Sequence, residues 1–353
     1  MRTVYLIRHG MPDFPGGERM CLGTTDLPLS PLGRLQAARA AFALRSEPIS
    51  AVFSSTLGRA VESAAAFGLP VTELEGLREM DAGEWDGLSF AEIRALWPEL
   101  YEKRGSNALI DPPGAEKRER ALMRFKSAVE TALAASSGDI AVVAHRSVER
   151  LFIESEAGAP REQSLPYGSI TTLAYSEGSF RAADIGAEPH PEPDESFCRA
   201  MLAALDTPES IIGHCFAVAR RAMDIICALA AGGLVLDENL VYAAAALHDA
   251  ARREPDHPAV AAGWLRELGY PEIAEVIAPH HDWSGGEIDE AAVLFIADKL
   301  VSGDKPVTLE GRFAASRSNC GTPEALEAHE KRYAAARDAA RRINLICRKE
   351  III

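Results

Sequence analysis

A short apolar segment near the start of the chain ends abruptly in residues of a different character. Residues 4–7 are β-branched, aromatic or leucine, and Arg8, His9 and Gly10 follow them directly. Such a run predicts a strand that is buried on both faces, as in a parallel sheet. Ligands of open α/β sheets bind just beyond the carboxyl ends of the strands. The sequence therefore predicts that Arg8 and His9 face a ligand-binding site.

The same pattern, an apolar run followed by basic residues, occurs twice more in the first half of the chain. Residues 51–55 predict a second strand, which leads into a polar loop and Arg59. Residues 140–144 predict a third strand, which ends in His145 and Arg146. We therefore expect an α/β domain whose chemistry lies at the ends of its strands.

Five sequence blocks in this half occur in a fixed order, and together they carry a family resemblance. The blocks are residues 8–10, 23–30, 54–60, 77–87 and 142–145. Over residues 1–186 they resemble the histidine phosphatase superfamily, also called phosphoglycerate-mutase-like, and within it the α-ribazole-phosphate-phosphatase-like and broad-specificity branches. The resemblance implies a three-layer α/β domain that hydrolyses phosphomonoesters through a phosphohistidine intermediate, without a metal or other cofactor.

The resemblance also implies a role for each polar residue at the strand ends. His9 would be the nucleophile, because a neutral imidazole can attack phosphorus and hold the phosphoryl group covalently. Arg8 and Arg59 would bind the phosphate oxygens in the two-pronged manner that suits a guanidinium group. His145 would give the same phosphate a second positive or hydrogen-bonding contact.

Glu79 matches the carboxylate of the family's Leu-x-Glu loop and would be the general acid, with Glu84 as the alternative. Two positions depart from the usual family pattern. Met11 and Pro12 stand where Glu-Thr is commoner, and Arg146 stands where glycine commonly follows the second histidine. Arg146 adds a charge near the phosphate, so the substrate preference of relatives does not transfer to this chain. Mutase activity is not expected.

A change of composition divides the chain. Residues 188–195 alternate proline with acidic residues and predict an extended linker. Beyond it, strand signals disappear and alanine and leucine recur at helical spacing. We predict a first domain at 1–187 and an all-α domain at 196–353, in which 311–321 is a loop. A charged, alanine-rich accessory helix at 323–348 would pack on the domain or form a dimer contact.

Five of the nine histidines fall between His214 and His281. One of them, His248, stands next to Asp249 in the apolar segment 240–252, which predicts a buried helix. A buried His-Asp pair is costly unless another group satisfies it. A metal ion is the simplest explanation, and a set of imidazoles and carboxylates without cysteine suits divalent iron or manganese.

The ordered set of histidines and aspartates carries a second resemblance. On the helical region 196–303 it resembles the HD superfamily of metal-dependent phosphohydrolases, whose HD subfamilies with two metals hold extra histidines. The resemblance implies one or two divalent ions of iron, manganese, nickel or zinc. The implied ligands are His214, His248, Asp249 and Asp298, with His257, His280 and His281 as the extra histidines.

The overall charge and the cysteines restrict the partners. The net charge of −15 and the sequence pI near 5.1 argue against nucleic acid or an anionic membrane, since both require a basic face. The six cysteines have no CxxC spacing, and no apolar run reaches about 18 residues. We expect a cytoplasmic protein that acts on small phosphorylated metabolites, and a homo-oligomer is compatible with the sequence.

Three readings of the function remain open at this point. The first is a bifunctional phosphohydrolase, in which the HD domain acts on a nucleotide or a related phosphate ester. In the second, the first domain is the single active phosphatase and the HD domain is a metal-containing regulatory or metabolite-binding module. The third is an oligomeric scaffold, against which the complete catalytic sets in both halves argue.

Overall fold

The computed structural model describes residues 1–106, 110–160 and 163–352. They form two compact units, Met1–Pro191 and Glu192–Ile353, here called the N-terminal and the C-terminal unit. The boundary between the units falls within the proline-rich segment 188–195. Within the described ranges, no helix is long and apolar enough to cross a membrane.

The N-terminal unit contains a six-stranded sheet in the order β3-β2-β4-β1-β5-β6. The first four strands in that order are parallel, and β5 and β6 are antiparallel to their neighbours. The carboxyl ends of β1, β2 and β4 therefore lie side by side at one edge of the sheet. The strands are β1 (Arg2–Arg8), β2 (Ile49–Ser54), β3 (Val71–Glu73), β4 (Asp139–Ala144), β5 (Ile170–Ser176) and β6 (Ser179–Ala187).

Alternate residues of β1 enter two different cores. Val4 and Leu6 pack with residues of α5 and α6, whereas Tyr5 and Ile7 pack with residues of α1 and α2. Helices thus cover both faces of the sheet, which explains why β1 is apolar throughout. The predicted three-layer α/β fold is confirmed. The helices are α1 (Pro31–Ala43), α2 (Gly58–Ala65), α3 (Phe90–Leu96), α4 (Pro98–Ser106), α5 (Arg118–Ala134) and α6 (Arg146–Glu156).

The end of β1 packs closely against the start of α1. The Ser30 hydroxyl caps α1 by accepting a hydrogen bond from Gly33 N at 3.0 Å, and Pro31 occupies the first helical position. A Cβ atom at Gly10 would collide with the backbone carbonyl of Gly33. Gly10 is therefore required for the chain to leave β1 beside this helix.

The C-terminal unit is helical except for a two-stranded hairpin, β7 (Val301–Ser302) and β8 (Lys305–Pro306). Its most buried segment is α12, where every residue from Ala292 to Ala297 is fully buried. The predicted helical class is confirmed. The helices are α7 (Glu195–Ala204), α8 (Glu209–Ala231), α9 (Glu238–Leu247), α10 (His257–Glu267), α11 (Pro271–Ile277), α12 (Glu290–Lys299), α13 (Leu309–Arg317) and α14 (Pro323–Cys347).

Two of the local predictions for this unit were wrong. The segment 311–321, expected to be a loop, contributes most of α13, which the Thr308 hydroxyl caps through Gly311 N. The helix expected over 240–252 ends at Leu247, so Asp249 lies in the turn that follows α9. Apolar composition persists across that turn because the turn is itself buried, which hides the end of the helix from a pattern of hydrophobicity.

Candidate active site and candidate metal centre

His9 and His145 lie side by side where β1 and β4 end. Their ring centroids are 4.9 Å apart, and backbone hydrogen bonds attach the chain to the sheet at this edge, as from His9 N to Ala144 O at 3.1 Å. His9 is 5% exposed and His145 is fully buried. Nδ1 of His9 donates to the Gly10 carbonyl at 2.6 Å, because a carbonyl can only accept. Nε2 of a neutral His9 is therefore the free nucleophilic atom.

Both histidines are held in the neutral form. Burial is the main cause that lowers the pKa of His9 well below its usual value, and the charges of Arg59 and Arg8 lower it further. Burial, His9 and the same two arginines lower the pKa of His145. His145 thus approaches a ligand as a neutral hydrogen-bonding group, and its Nε2 already pairs with the Ser55 hydroxyl at 2.7 Å.

Two arginines flank the histidine pair, and the backbone holds both in place. Arg8 donates to Leu165 O at 2.6 Å and stacks 3.6 Å above the ring of Tyr167. Arg59, 1% exposed, donates to Thr25 O at 2.8 Å and to Gly23 O at 3.0 Å. Within the described residues, the Nε atoms of both arginines are buried without a hydrogen-bond partner. Such a donor is costly, and a phosphate oxygen would satisfy it.

Glu79 lies beside this group, bound to the N-terminus of α6. Its carboxylate accepts hydrogen bonds from Ser147 N at 2.9 Å, Val148 N at 3.1 Å and Met80 N at 2.8 Å. Because α6 begins directly after His145, the carboxylate and the imidazole share one anchor. Glu84, the alternative acid, is exposed on a short helical turn. The geometry therefore favours Glu79 over Glu84.

The site also contains residues that sequence reasoning missed. Arg124 of α5 donates to the carbonyls of Gly76, Arg78 and Glu79 at 2.7 to 3.0 Å, and so fixes the loop that carries the carboxylate. Tyr167 lies under the Arg8 guanidinium, with its ring centroid 5.6 Å from that of His9. No pattern in the sequence marks these two residues, because each acts through the fold.

In the C-terminal unit, the seven expected metal ligands form one continuous cluster. Three groups of potential ligand atoms each lie within 4.8 Å of one another, and the groups share His248 and His280. Five elements contribute: α8, the turn after α9, the start of α10, the turn after α11 and α12. The three groups are His214, His248 and Asp298; His248, Asp249 and His280; and His257, His280 and His281.

The backbone orients three of these imidazoles. Nδ1 of His214, His248 and His280 each donates to a carbonyl at 2.8 Å, from Gly303, Ala245 and Ile277 respectively. With Nδ1 engaged in this way, Nε2 is the atom that each ring would present to a metal ion, and Nε2 of His214 lies 3.2 Å from Oδ1 of Asp298, a second expected ligand. Nε2 of His280 is buried and has no hydrogen-bond partner within the described ranges. The residues therefore fit a divalent metal ion.

The charges of the cluster agree with a ligand role. Burial lowers the pKa of His280 to about 2 and that of His281 to about 4, which keeps both imidazoles neutral, as metal ligation requires. Burial alone would raise the pKa of Asp298, but Lys299 and His214 outweigh it and hold that pKa well below the usual value. Arg252 similarly binds both carboxylate oxygens of Asp249 at 3.0 and 3.1 Å.

Comparison with known families identifies both parts of the chain. A family model described as the histidine phosphatase superfamily (branch 1) matches residues 4–187, more than half of the chain. The chain belongs to this superfamily. A model of the HD domain matches residues 211–303, so the C-terminal region of this histidine phosphatase superfamily member carries an HD domain. Both predicted resemblances are confirmed, and HD domains are generally metal-dependent.

Three curated relatives each match half of the chain or less. The chain is 35% identical over 122 residues to a glucosyl-3-phosphoglycerate phosphatase of Mycolicibacterium vanbaalenii, covering 33% of this chain and 54% of the relative. It is 33% identical over 185 residues to phosphoglycerate mutase-like protein 4 of Arabidopsis thaliana, covering 50% of this chain and 80% of the relative. It is 30% identical over 185 residues to bifunctional protein Rv2228c of Mycobacterium tuberculosis, covering 49% of this chain and 50% of the relative.

The chain thus spans about half the length of two of these three relatives. Among solved structures, Bacillus stearothermophilus YhfR matches with 28% identity and a TM-score of 0.48, covering 53% of this chain and 97% of that protein.

Proposed function

We propose that this chain is a bifunctional phosphohydrolase that acts on small phosphorylated metabolites. The N-terminal unit hydrolyses phosphomonoesters through a phosphohistidine at His9, and the HD domain hydrolyses a nucleotide or a related phosphate ester with a divalent metal ion. The observation that carries the first activity is the buried, neutral pair of His9 and His145 between Arg8 and Arg59, whose Nε donors lack an acceptor among the described residues.

In the N-terminal unit, Arg8, Arg59 and His145 bind the non-bridging oxygens of the substrate phosphate. Nε2 of His9 attacks phosphorus in line with the ester oxygen, the ester bond breaks, and Glu79 transfers its proton to the leaving oxygen. A water molecule then attacks the phosphohistidine and returns a proton to Glu79. Orthophosphate leaves, and His9 is neutral again.

In the HD domain, His214, His248, Asp249 and Asp298 would hold one divalent ion, and His257, His280 and His281 complete a second position. When bound, the ion acts as a Lewis acid towards a phosphate oxygen and helps to ionise water. The chain itself keeps His280 and His281 neutral and Asp298 anionic. Backbone carbonyls fix the rings of His214, His248 and His280. Imidazoles and carboxylates without a thiolate suit a divalent ion of iron, manganese, nickel or zinc.

Trapping of the covalent intermediate tests the first activity. A substrate with a ³²P-labelled phosphate, quenched in base within milliseconds, is expected to leave label on His9, because phosphohistidine survives base. His9→Ala removes the label, whereas the exposed His190→Ala is the matched control and keeps it. Label elsewhere, or full turnover by His9→Ala in the presence of a chelator, contradicts the proposal.

The His9→Ala chain also tests the second activity, since it isolates the HD domain. Metal-loaded His9→Ala chain is expected to hydrolyse phosphate esters from a metabolite panel, and a chelator should stop it. Bound metal without any turnover would instead favour a regulatory HD domain.

A further inference from the structure

A cavity of about 810 Å³ lies next to the metal ligands of the C-terminal unit, and two of its walls differ in origin. One wall consists of the ligand cluster, including His214, Asp249 and Asp298. Another part of the lining comes from α13 and α14, which lie beyond residues 211–303, the part that the HD family model matches. Whatever binds at the metal ligands also faces these two accessory helices.

Each accessory helix turns one face towards the cavity. Arg312 and Ser316 of α13 are one helical turn apart, and both line it. On α14, Ala325, Ala328 and Arg332 line it with the i, i+3, i+7 spacing of a single helix face. Because alanine side chains are small, this face of α14 leaves the cavity open.

The two helices are fixed to each other, so this wall has a defined geometry. Phe313 of α13 contacts His329 and Tyr333 of α14, with ring centroids 5.3 and 4.7 Å apart. The Ser316 hydroxyl lies 2.9 Å from Nε2 of His329. Phe313 is 6% exposed, which makes this contact a small core of its own.

The charges on the cavity walls single out Arg312. Four cationic residues face two carboxylates there. Three of the cations have carboxylate partners: Arg252 binds Asp249, Lys299 binds Asp298 at 2.7 Å, and Arg332 binds Asp282 at 2.6 Å. Arg312 is half-buried and has no carboxylate within ion-pair distance among the residues that the structure describes.

An arginine without a carboxylate partner on the wall of a cavity attracts an anion. The chain has a net charge of −15, so it has carboxylates in excess, and yet none of the described ones pairs with Arg312. We propose that Arg312 is a specificity-determining residue of the HD-domain site, and that it binds a second anionic group of the substrate. This inference rests on the proposed phosphohydrolase function. The substrate class is a phosphate ester that carries a further phosphate or carboxylate, one anion lying at the metal ligands and the other at α13.

Three matched, non-hydrolysable probes test the proposal by calorimetric binding to the full-length, metal-loaded chain. Methylphosphonate has one anionic group, methylenediphosphonate has two phosphonates, and phosphonoacetate has a phosphonate and a carboxylate. Arg312→Gln removes the charge and keeps most of the side-chain length. Arg317→Gln is the matched control, because Arg317 lies on the same helix, pairs with Glu330 at 3.2 Å and does not line the cavity.

We expect Arg312→Gln to weaken at least one two-anion probe about tenfold, the effect of losing one charge-assisted hydrogen bond, while methylphosphonate changes less than about twofold. Weaker binding of methylenediphosphonate would identify the second anionic group of the substrate as a phosphate. Weaker binding of phosphonoacetate would identify it as a carboxylate. Arg317→Gln should leave all three unchanged. The N-terminal site is the same in every variant, so differences between variants report the C-terminal unit.

Four results would overturn the proposal. Arg312→Gln could weaken all three probes equally or weaken none of them. The unsubstituted chain could fail to bind a two-anion probe, or Arg317→Gln could have the same effect as Arg312→Gln. Metal analysis of each sample separates this result from the proposed function. Full metal content with binding that ignores Arg312 refutes only the role of Arg312. Binding that depends on Arg312 in a chain that holds no metal supports that role and refutes the metal-dependent activity.

Discussion

Replacing Glu79 by glutamine should slow phosphate transfer to an extent that depends on the leaving group. Without its proton donor, the chain must expel an alkoxide from an alkyl phosphate, and a general acid is worth about 10²- to 10⁴-fold. A nitrophenolate leaving group needs no proton, so its transfer should slow less than about tenfold. The rate of the phosphorylation step in single turnovers with both esters measures the difference.

The contacts of Glu79 set the structural cost of this substitution. The glutamine oxygen can keep the hydrogen bonds from Met80 N and Val148 N, but the amide nitrogen then faces Ser147 N, and two donors meet. One lost buried hydrogen bond costs about 1 to 3 kcal/mol of stability. Urea unfolding of Glu79→Gln measures this cost separately from the rate.

Glu84→Gln is the matched control, and it should change neither rate by more than about twofold, since Glu84 is exposed and away from the anchor at α6. Equal slowing of both esters by Glu79→Gln would refute the acid role and leave Glu79 as a structural residue. Slowing that depends on the leaving group in Glu84→Gln would transfer the role to Glu84.

Three further predictions concern pH, domain independence and metal. Burial lowers the pKa of His145, so as the pH falls the unfolded chain takes up a proton before the folded chain does, and stability is lost below about pH 6.5. His145→Gln should reduce the slope of the unfolding free energy against pH by about 1.4 kcal/mol per pH unit in urea unfolding. An unchanged slope contradicts this. Fragments 1–190 and 194–353 should each unfold cooperatively in calorimetry, and a molten fragment would contradict independent domains. Elemental analysis should show that Asp249→Ala has lost its metal, while its N-terminal phosphatase activity remains. The matched control Asp224→Ala, at an exposed position, should keep both. Less than about 0.1 ion per unsubstituted chain after reloading would reject the site.

The sequence predicts those parts of the fold that depend on the pattern of neighbouring residues. The sequence predicts the strands before Arg8 and before His145 because a strand that is buried on both faces has an unbroken apolar run. The polar site begins where that run ends. The order of strands fixes which of these ends become neighbours, and the sheet places β4 next to β1. In the C-terminal unit, residue types in a fixed order carry the resemblance that implies seven metal ligands, and the structure brings these seven residues into one cluster.

The parts that the sequence did not reveal depend on contacts between distant segments. Arg124 holds the loop of Glu79 from more than 40 positions away, and nothing in α5 itself marks that role. The place of His329 beside Ser316 likewise follows from the packing of α13 on α14, and no local pattern marks it. The segment 311–321 predicts a loop because its two glycines, two serines and asparagine are common in turns. Tertiary packing of Phe313 overrides that preference, and α13 forms.

The shared anchor at the start of α6 has a consequence for how the N-terminal site tolerates movement. The backbone amides of α6 hold Glu79, and the residue immediately before the helix is His145. A small shift of α6 would carry the Glu79 carboxylate and the His145 imidazole together. In the proposed reaction, the distance between the proton donor and the phosphate site would then stay constant while the room for the remainder of the substrate changes.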